Sequence, residues 1–288
     1  MRNKILYIYT EDLSFFYKLN KELNRRKITF KILNIGNKIP TFPSLILTTS
    51  KEVEKVENLN EKILIFPYKG ENFEKYILKV VAAYQISYKD NYSNLTFSID
   101  PGTKHIGLII FLDGYYLESH TFYEKTELIN KIKDYVDFLQ EDNINLINLN
   151  FKFGRGVLLI TMNLINRIYK IFKNRKEIKV YLIDEAKSSK VKIHNKERKF
   201  PKDEASALIL ALRDGIEVNQ NNYYKVFNQI KSKKLKKEEA YKIENIENSN
   251  EIIIKLGEIA EKVLNRELSL SESTEMIKDF KLHKYENL

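Results

Sequence analysis

Apolar positions along the first ninety residues alternate between strand and helix spacing. Lys4–Tyr9 is a short apolar run, and Asp12–Arg25 then carries Leu13, Phe16, Leu19 and Leu23 at helical intervals. Ile28–Leu33 reads as a strand. Leu45–Thr48 and Ile63–Phe66 are short apolar runs bounded by Pro43, Pro67 and Gly70, and Phe73–Gln85 is helical again. This alternation predicts a small parallel α/β domain over 1–90. It carries no Gly-rich phosphate loop, so a docking or scaffolding role is the plain reading. Asp12, after the first strand, reads as a helix N-terminal residue before it reads as a functional acid. Residues 86–94 are polar and turn-rich and predict a domain boundary.

From Leu95 the pattern changes. Leu95–Asp100 is a strand that ends in an acid, and Ile106–Leu112 and Tyr115–Phe122 are strands joined at Asp113-Gly114, a tight hairpin turn. Glu124–Gln140 places Leu128, Ile132, Tyr135 and Leu139 on one helical face. Ile144–Phe151 reads as a strand, Val157–Phe172 as a helix, and Lys179–Ile183 as a strand. Pro201–Arg213 reads as a helix with Gly215 just past its end. The predicted order over 95–215 is βββαβαβα, a mixed sheet in an α/β domain. Residues 216–288 read as a helical C-terminal appendage, with helices at Tyr223–Ile230, Lys236–Ile243, Glu251–Leu264 and Ser271–Phe280.

Composition narrows the chemistry. The chain has no cysteine, which removes disulfides, thiolate catalysis and cysteine-held zinc. The four histidines show no ligand spacing. No apolar window is long enough for a membrane helix, and Met1-Arg2-Asn3-Lys4 opens no signal-peptide pattern, so a cytoplasmic protein without a membrane partner is expected. A net charge of +10 points to polyanions, nucleic acid first. The 18 Tyr and 16 Phe read as core residues rather than as a base-stacking platform.

Two segments concentrate the candidate chemistry. Phe97-Ser98-Ile99-Asp100-Pro101-Gly102-Thr103-Lys104-His105-Ile106-Gly107 resembles the first motif of RuvC-type Holliday-junction resolvases and their YqgF-type relatives. In those proteins an apolar strand runs into Asp-Pro-Gly-Thr. Lys202-Asp203-Glu204-Ala205-Ser206-Ala207-Leu208 resembles the family's last helix, with acids in its first turn. The resemblance, to a divergent archaeal or thermophile member, covers about 95–215 and implies an RNase H-like fold. It also implies a metal-dependent nuclease with Mg²⁺ (or Mn²⁺), and a homodimer, because a four-way junction needs two symmetric cuts.

The chemistry has its own logic. Phosphodiester hydrolysis needs an activated water and a stabilised leaving oxygen, which two Mg²⁺ about 4 Å apart supply when carboxylates converge. Asp100 ends a central strand, and Asp203 and Glu204 open the last helix. The plainer role of those two is to stabilise the helix dipole. Glycines at 102 and 107 leave room for close approach of backbone and phosphate. The family pattern carries a Glu on the fourth strand, where this chain offers only Asn148 or Asn150. Glu185, with Asp184 as substitute, is the compensating acid, and Ser206 stands where the family has a second Asp. The expected metal set is Asp100, Glu185 and Asp203, within a catalytic group that adds Asp184 and Glu204. His105, beside the first motif, reads as incidental.

Charge surrounds these acids. Between Lys187 and Lys202 seven Lys or Arg face one Glu. Lys104, Arg155, Lys187, Lys190, Lys192, Arg198, Lys199 and Lys202 are the candidate nucleic-acid contacts, DNA favoured over RNA. Arg155, between Gly154 and Gly156, suits a phosphate at a helix N-terminus or a plain tight turn. Lys231–Lys237, with five Lys in seven residues, reads more as a solvated helix surface. Three function classes result: a Mg²⁺-dependent endonuclease on structured nucleic acid, a non-catalytic nucleic-acid-binding or scaffold protein with a degenerate RNase H fold, and an actin-like ATPase or sugar kinase. The last needs two copies of the Asp-Pro-Gly-Thr hairpin, and the chain holds one.

Overall fold

The structure is a computed structural model that describes residues 6–34, 44–56, 63–70, 72–86, 91–141, 143–175, 177–186, 188–191, 193, 200–233 and 250–286. It is a mixed α/β protein with eight α-helices and two sheets among the described residues. Its contacts divide the chain into two compact units, 1–91 with 138–144, and 92–137 with 145–288. No helix of the described residues is long and apolar enough to cross a membrane.

The first unit is built on a four-stranded parallel sheet, order β2-β1-β3-β4, from β1 (Leu6–Ile8), β2 (Phe30–Ile32), β3 (Ser44–Thr49) and β4 (Ile63–Tyr68). Helix α1 (Leu13–Arg25) starts at Asp12, whose carboxylate accepts the Phe15 N–H at 3.0 Å, so Asp12 is a cap. The buried stripe of α1 is Phe15, Leu19 and Leu23, while Leu13 is 81% exposed, which corrects the expected apolar face by a fraction of a turn. Helix α2 (Phe73–Gln85) is capped by Asn72, and Phe15, Tyr68, Phe73 and Tyr76 interlock as one aromatic cluster. Glu52, after β3, is buried and accepts from Thr10 Oγ1, Glu11 N and Thr49 Oγ1.

The second unit carries a six-stranded sheet of β5 (Asn94–Pro101), β6 (Ile106–Leu112), β7 (Tyr115–Phe122), β8 (Asn148–Gly154), β9 (Ile178–Ile183) and β10 (Gly215–Val218). Its order is β10-β9-β8-β5-β6-β7. Strands β5, β6 and β7 are antiparallel neighbours, β8 runs parallel to β5, β9 parallel to β8, and β10 closes the far edge antiparallel. Asp113 and Gly114 both take positive φ, 48° and 83°, as the two-residue hairpin turn requires. The Asp113 carboxylate also accepts the N–H groups of Ser93 and Asn94.

Helices cover both faces of this sheet. On one face lie Phe97, Ile99, Phe151 and Phe153. There α3 (Lys125–Gln140) sends Tyr135 to Glu118 and His120, and α4 (Leu158–Ile171) bonds Thr161 to the Gly154 carbonyl and ends at Phe172 against Phe151. On the other face, α5 (Lys202–Ala211) lies across Ile109 and Phe111, with α7 (Asn250–Leu264) and Ile277 of α8 (Leu270–Glu286) completing that core. Helix α6 (Tyr223–Lys233) is tied down by Tyr223, which donates to Asn166 at 2.6 Å.

Two expectations are corrected here. The fourth strand of the mixed sheet is Asn148–Gly154 rather than Ile144–Phe151, because Ile144 is 85% exposed and Leu146 56% exposed, while Phe151 and Phe153 alternate inward. Gly215 does not merely follow a helix. It opens β10, which a four-residue run with three exposed positions conceals in sequence. The expected helix at Lys236–Ile243 lies outside the described residues.

Candidate active site

Residues level with one another in neighbouring strands point to the same face. Asp100 on β5 is level with Gly107 on β6, and Gly107 with Thr121 on β7. Ser98, two residues before Asp100, shares its face and donates to the Ala207 carbonyl at 2.7 Å. Helix α5 is therefore laid directly on this row. Its first turn reaches the sheet only because Gly107 has no side chain: a Cβ there would overlap the Asp203 carbonyl and lie 3.1 Å from the Glu204 N–H. The room at Gly107 is thus filled by the chain's own backbone, and that at Gly102 by the His105 carbonyl, which is the close backbone approach expected there and leaves none of that room to a phosphate.

This seating brings acids around Asp100. Burial first, then the charges of Glu185 and Asp203, push the Asp100 carboxyl up to about 7, against a Ser206 hydrogen bond and the Lys202 charge that pull it down. Ser206 is the feature that sequence alone did not reveal. Standing where an acid was sought, it bonds Asp100 instead.

Asp203 lies 3.4 Å from Nδ1 of His105, whose ring meets Tyr123 edge-on. Glu204 is placed differently. It is buried, and its two oxygens accept from Ser119 and from Thr121, the latter at 3.0 Å, both on β7. Two strand spacings, about 10 Å, separate β7 from β5. The Glu204 carboxylate ties α5 to the sheet at β7.

The acids after β9 split in the same way. Glu185 turns inward over β8, where its carboxylate accepts the Gly156 N–H at 2.8 Å, and burial raises its pKa. Asp184 turns outward. Burial raises it, but the Ala186 N–H and Arg155 outweigh that and leave its pKa lowered. Arg155 pairs with Asp184, so the side chain expected to meet phosphate already holds a carboxylate. The strand position beside Asp100 is also corrected. Ile99 is level with Phe153, so the next residue, Gly154, comes abreast of Asp100, whereas Asn148 and Asn150 are level with Asn94 and Thr96. Four residues of strand put Asn150 about 13 Å back along β8.

Among the described residues no group of three or more His, Cys, Asp or Glu stands close enough to hold a metal ion as a finished cage. The donor chemistry nevertheless fits a hard cation. Asp100 is a carboxylate disfavoured by two like charges, and Mg²⁺ is commonly held by one or two carboxylates with waters and substrate phosphate. Of the candidate nucleic-acid contacts, Lys104, Lys190 and Lys202 are exposed; Lys187, Lys192, Arg198 and Lys199 lie outside the described residues, as do residues 234–237 of the second basic run.

No family model and no curated protein matches this chain. Among solved structures, the type II variant of the Aquifex aeolicus Ppx/GppA phosphatase is similar at 12% identity, over 68% of this chain and 70% of that chain, with a TM-score of 0.14. A score at that level assigns neither fold nor function. These findings correct the family expectation. No RuvC or YqgF model matches, and the chain is not assigned to the RuvC/YqgF family. The motif's wording has local reasons of its own, since both its glycines make room for neighbouring backbone.

Proposed function

We propose that the second unit hydrolyses phosphodiester bonds in structured nucleic acid, DNA before RNA, at the Asp100 edge with a divalent cation, Mg²⁺ or Mn²⁺. We read its sheet as RNase H-like. Three antiparallel strands, two parallel ones reached through helices, and a helix laid back on the first strand support that topology. One observation carries the functional reading: Asp100 stands buried at the strand end beside Glu185 and Asp203, and burial with their two charges pushes its carboxyl up to about 7. Asp100 with Glu185 or Asp203 would hold the cation. When bound, it supplies Lewis-acid stabilisation of the phosphate and a more acidic water. Lys202 sets its positive charge toward Asp100, and exposed Lys104 and Lys190 suit the flanking phosphates.

The absence of a three-residue cage among the described residues favours a second reading, a nucleic-acid-binding protein without catalysis. Cleavage of a panel of branched, double- and single-stranded DNA and RNA substrates with Mg²⁺ separates the two. Asp100→Asn should lower cleavage about 10³-fold. Salt-sensitive binding without cleavage in either protein would establish the second reading, and equal cleavage by the variant would refute the first.

A further inference from the structure

Gly154 and Gly156 flank the turn out of β8, and neither is glycine for conformational reasons. Among the described residues the glycines with positive φ are Gly70 and Gly114, so an L-residue's backbone fits at both positions. Glycine at the end of a strand forgoes packing and stiffness, which calls for a reason. The reason is Glu185. A Cβ at Gly154 would overlap Oε1 of Glu185 and lie 2.8 Å from its Cδ and 3.0 Å from its Cγ. At Gly156 it would overlap Oε2 and lie 2.7 Å from Cδ. All the nearest atoms at both sites belong to this one side chain.

The surrounding backbone is fixed independently. Thr161 donates to the Gly154 carbonyl at 2.8 Å, and the Arg155 N–H donates to the Ile183 carbonyl at 3.1 Å. The Gly156 N–H then donates to the Glu185 carboxylate, while Asp184 is drawn away by Arg155. Gly154 is the residue abreast of Asp100.

We propose that Gly154 and Gly156 are positioning residues for Glu185. By lacking side chains they let its carboxylate cross β8 from the end of β9, so the strand position beside Asp100 is filled from a neighbouring strand. As a statement about a cation site this rests on the hydrolytic reading above. The placement of Glu185 does not, and the two can be told apart.

The test uses the full chain with Gly154→Ala, Gly156→Ala and Glu185→Ala. The alanines press only on the tip of a flexible side chain, so the melting temperature should hold. Mg²⁺ affinity by titration calorimetry should fall about tenfold in each variant. Gly154→Ala should add nothing further in a Glu185→Ala background. Gly154→Asp combined with Glu185→Ala should regain most of the lost affinity, because it restores a carboxylate abreast of Asp100. Without metal, hydrogen exchange at the Gly156 amide should quicken about tenfold in Gly154→Ala, matching Glu185→Ala. Additive losses, or a Gly154→Ala protein with wild-type Mg²⁺ affinity and an unchanged Gly156 amide, overturn the proposal. A wild-type protein that takes up no Mg²⁺ overturns the hydrolytic reading instead, and the amide exchange still decides the placement of Glu185.

Discussion

Two carboxylates at strand ends, one in each unit, are treated in opposite ways. Glu52, beside the ends of β1 and β3, is buried, and burial alone would raise its pKa. The Thr49 hydroxyl, the Glu11 N–H and the Thr10 hydroxyl reverse that and leave it lowered. Its carboxylate accepts from Thr10, Glu11 and Thr49. Asp100, at the end of β5, is raised to about 7 by burial and by two further acids, with Ser206 and Lys202 opposing weakly. A satisfied acid holds a fold together, while a crowded one stores a demand for positive charge. Burial raises both acids, and the neighbours then part them: donors reverse it at Glu52, while two further carboxylates add to it at Asp100.

Asp100→Asn makes the largest break in this comparison. It keeps shape and removes charge, so the 10³-fold loss of cleavage should come without loss of fold. Glu52→Ala should do the reverse. It strands the buried Thr49 hydroxyl and loosens the half-buried bonds to the Thr10 hydroxyl and the Glu11 N–H, which costs about 2 kcal/mol of unfolding free energy in urea titration. Its effect on cleavage per folded molecule should stay under about twofold. An equal stability loss from both substitutions would erase the distinction between the two sites.

Much of this was legible in sequence because it lies in strong local signals. The Asp113-Gly114 turn, the helix Phe73–Gln85 and the strands Ile106–Leu112 and Tyr115–Phe122 follow from turn chemistry and periodicity, and the structure has them at the same bounds. What failed depended on partners far along the chain. Ile144 and Leu146 mimic a strand start, yet they are exposed, and that slip of register hid Gly154 beside Asp100. Strand β10 is visible only once β9 is there to pair with it. Glu204 sits next to Asp203 in sequence but about a third of a turn away on the helix, which sends it to β7. Ser206 and Gly156 act through contacts that no spacing rule encodes. The family resemblance rested on two short segments, Phe97–Gly107 and the helix start at Lys202, too little to carry an assignment that no family model supports.

The pH dependence of stability sharpens the comparison at a smaller scale. Asp100 has a folded pKa above its unfolded value of about 3.9. Between about pH 4 and 7 the folded chain therefore holds a proton that the unfolded chain has lost, and stability falls as pH rises through that window. Removing the charge relieves this, so Asp100→Asn should gain about 2 kcal/mol over wild type by pH 8, after discounting for solvent screening, and nothing at pH 4. Glu52 has the opposite sign. Its folded pKa is lowered, so its contribution is present above about pH 4.5 and disappears as pH falls through the folded value. Thermal melts of Asp100→Asn and Glu52→Gln from pH 2 to 8 should give difference curves of opposite sign, the first growing towards pH 7 and the second shrinking as pH falls below about 4.5.

Ser206→Ala gives the smallest expected effect and the most local one. The hydroxyl bonds the ionised form of Asp100 from a buried position on α5. Losing it removes a stabilising contact worth about 1 kcal/mol or less and drives the Asp100 pKa further upward. If a cation must displace that proton, the midpoint pH for Mg²⁺-dependent cleavage moves higher, while the rate at pH 9 stays near wild type. A shift of the midpoint to lower pH, or a loss of rate that is equal at every pH, would mean that Ser206 serves the packing of α5 alone and that the charge state of Asp100 does not govern the site.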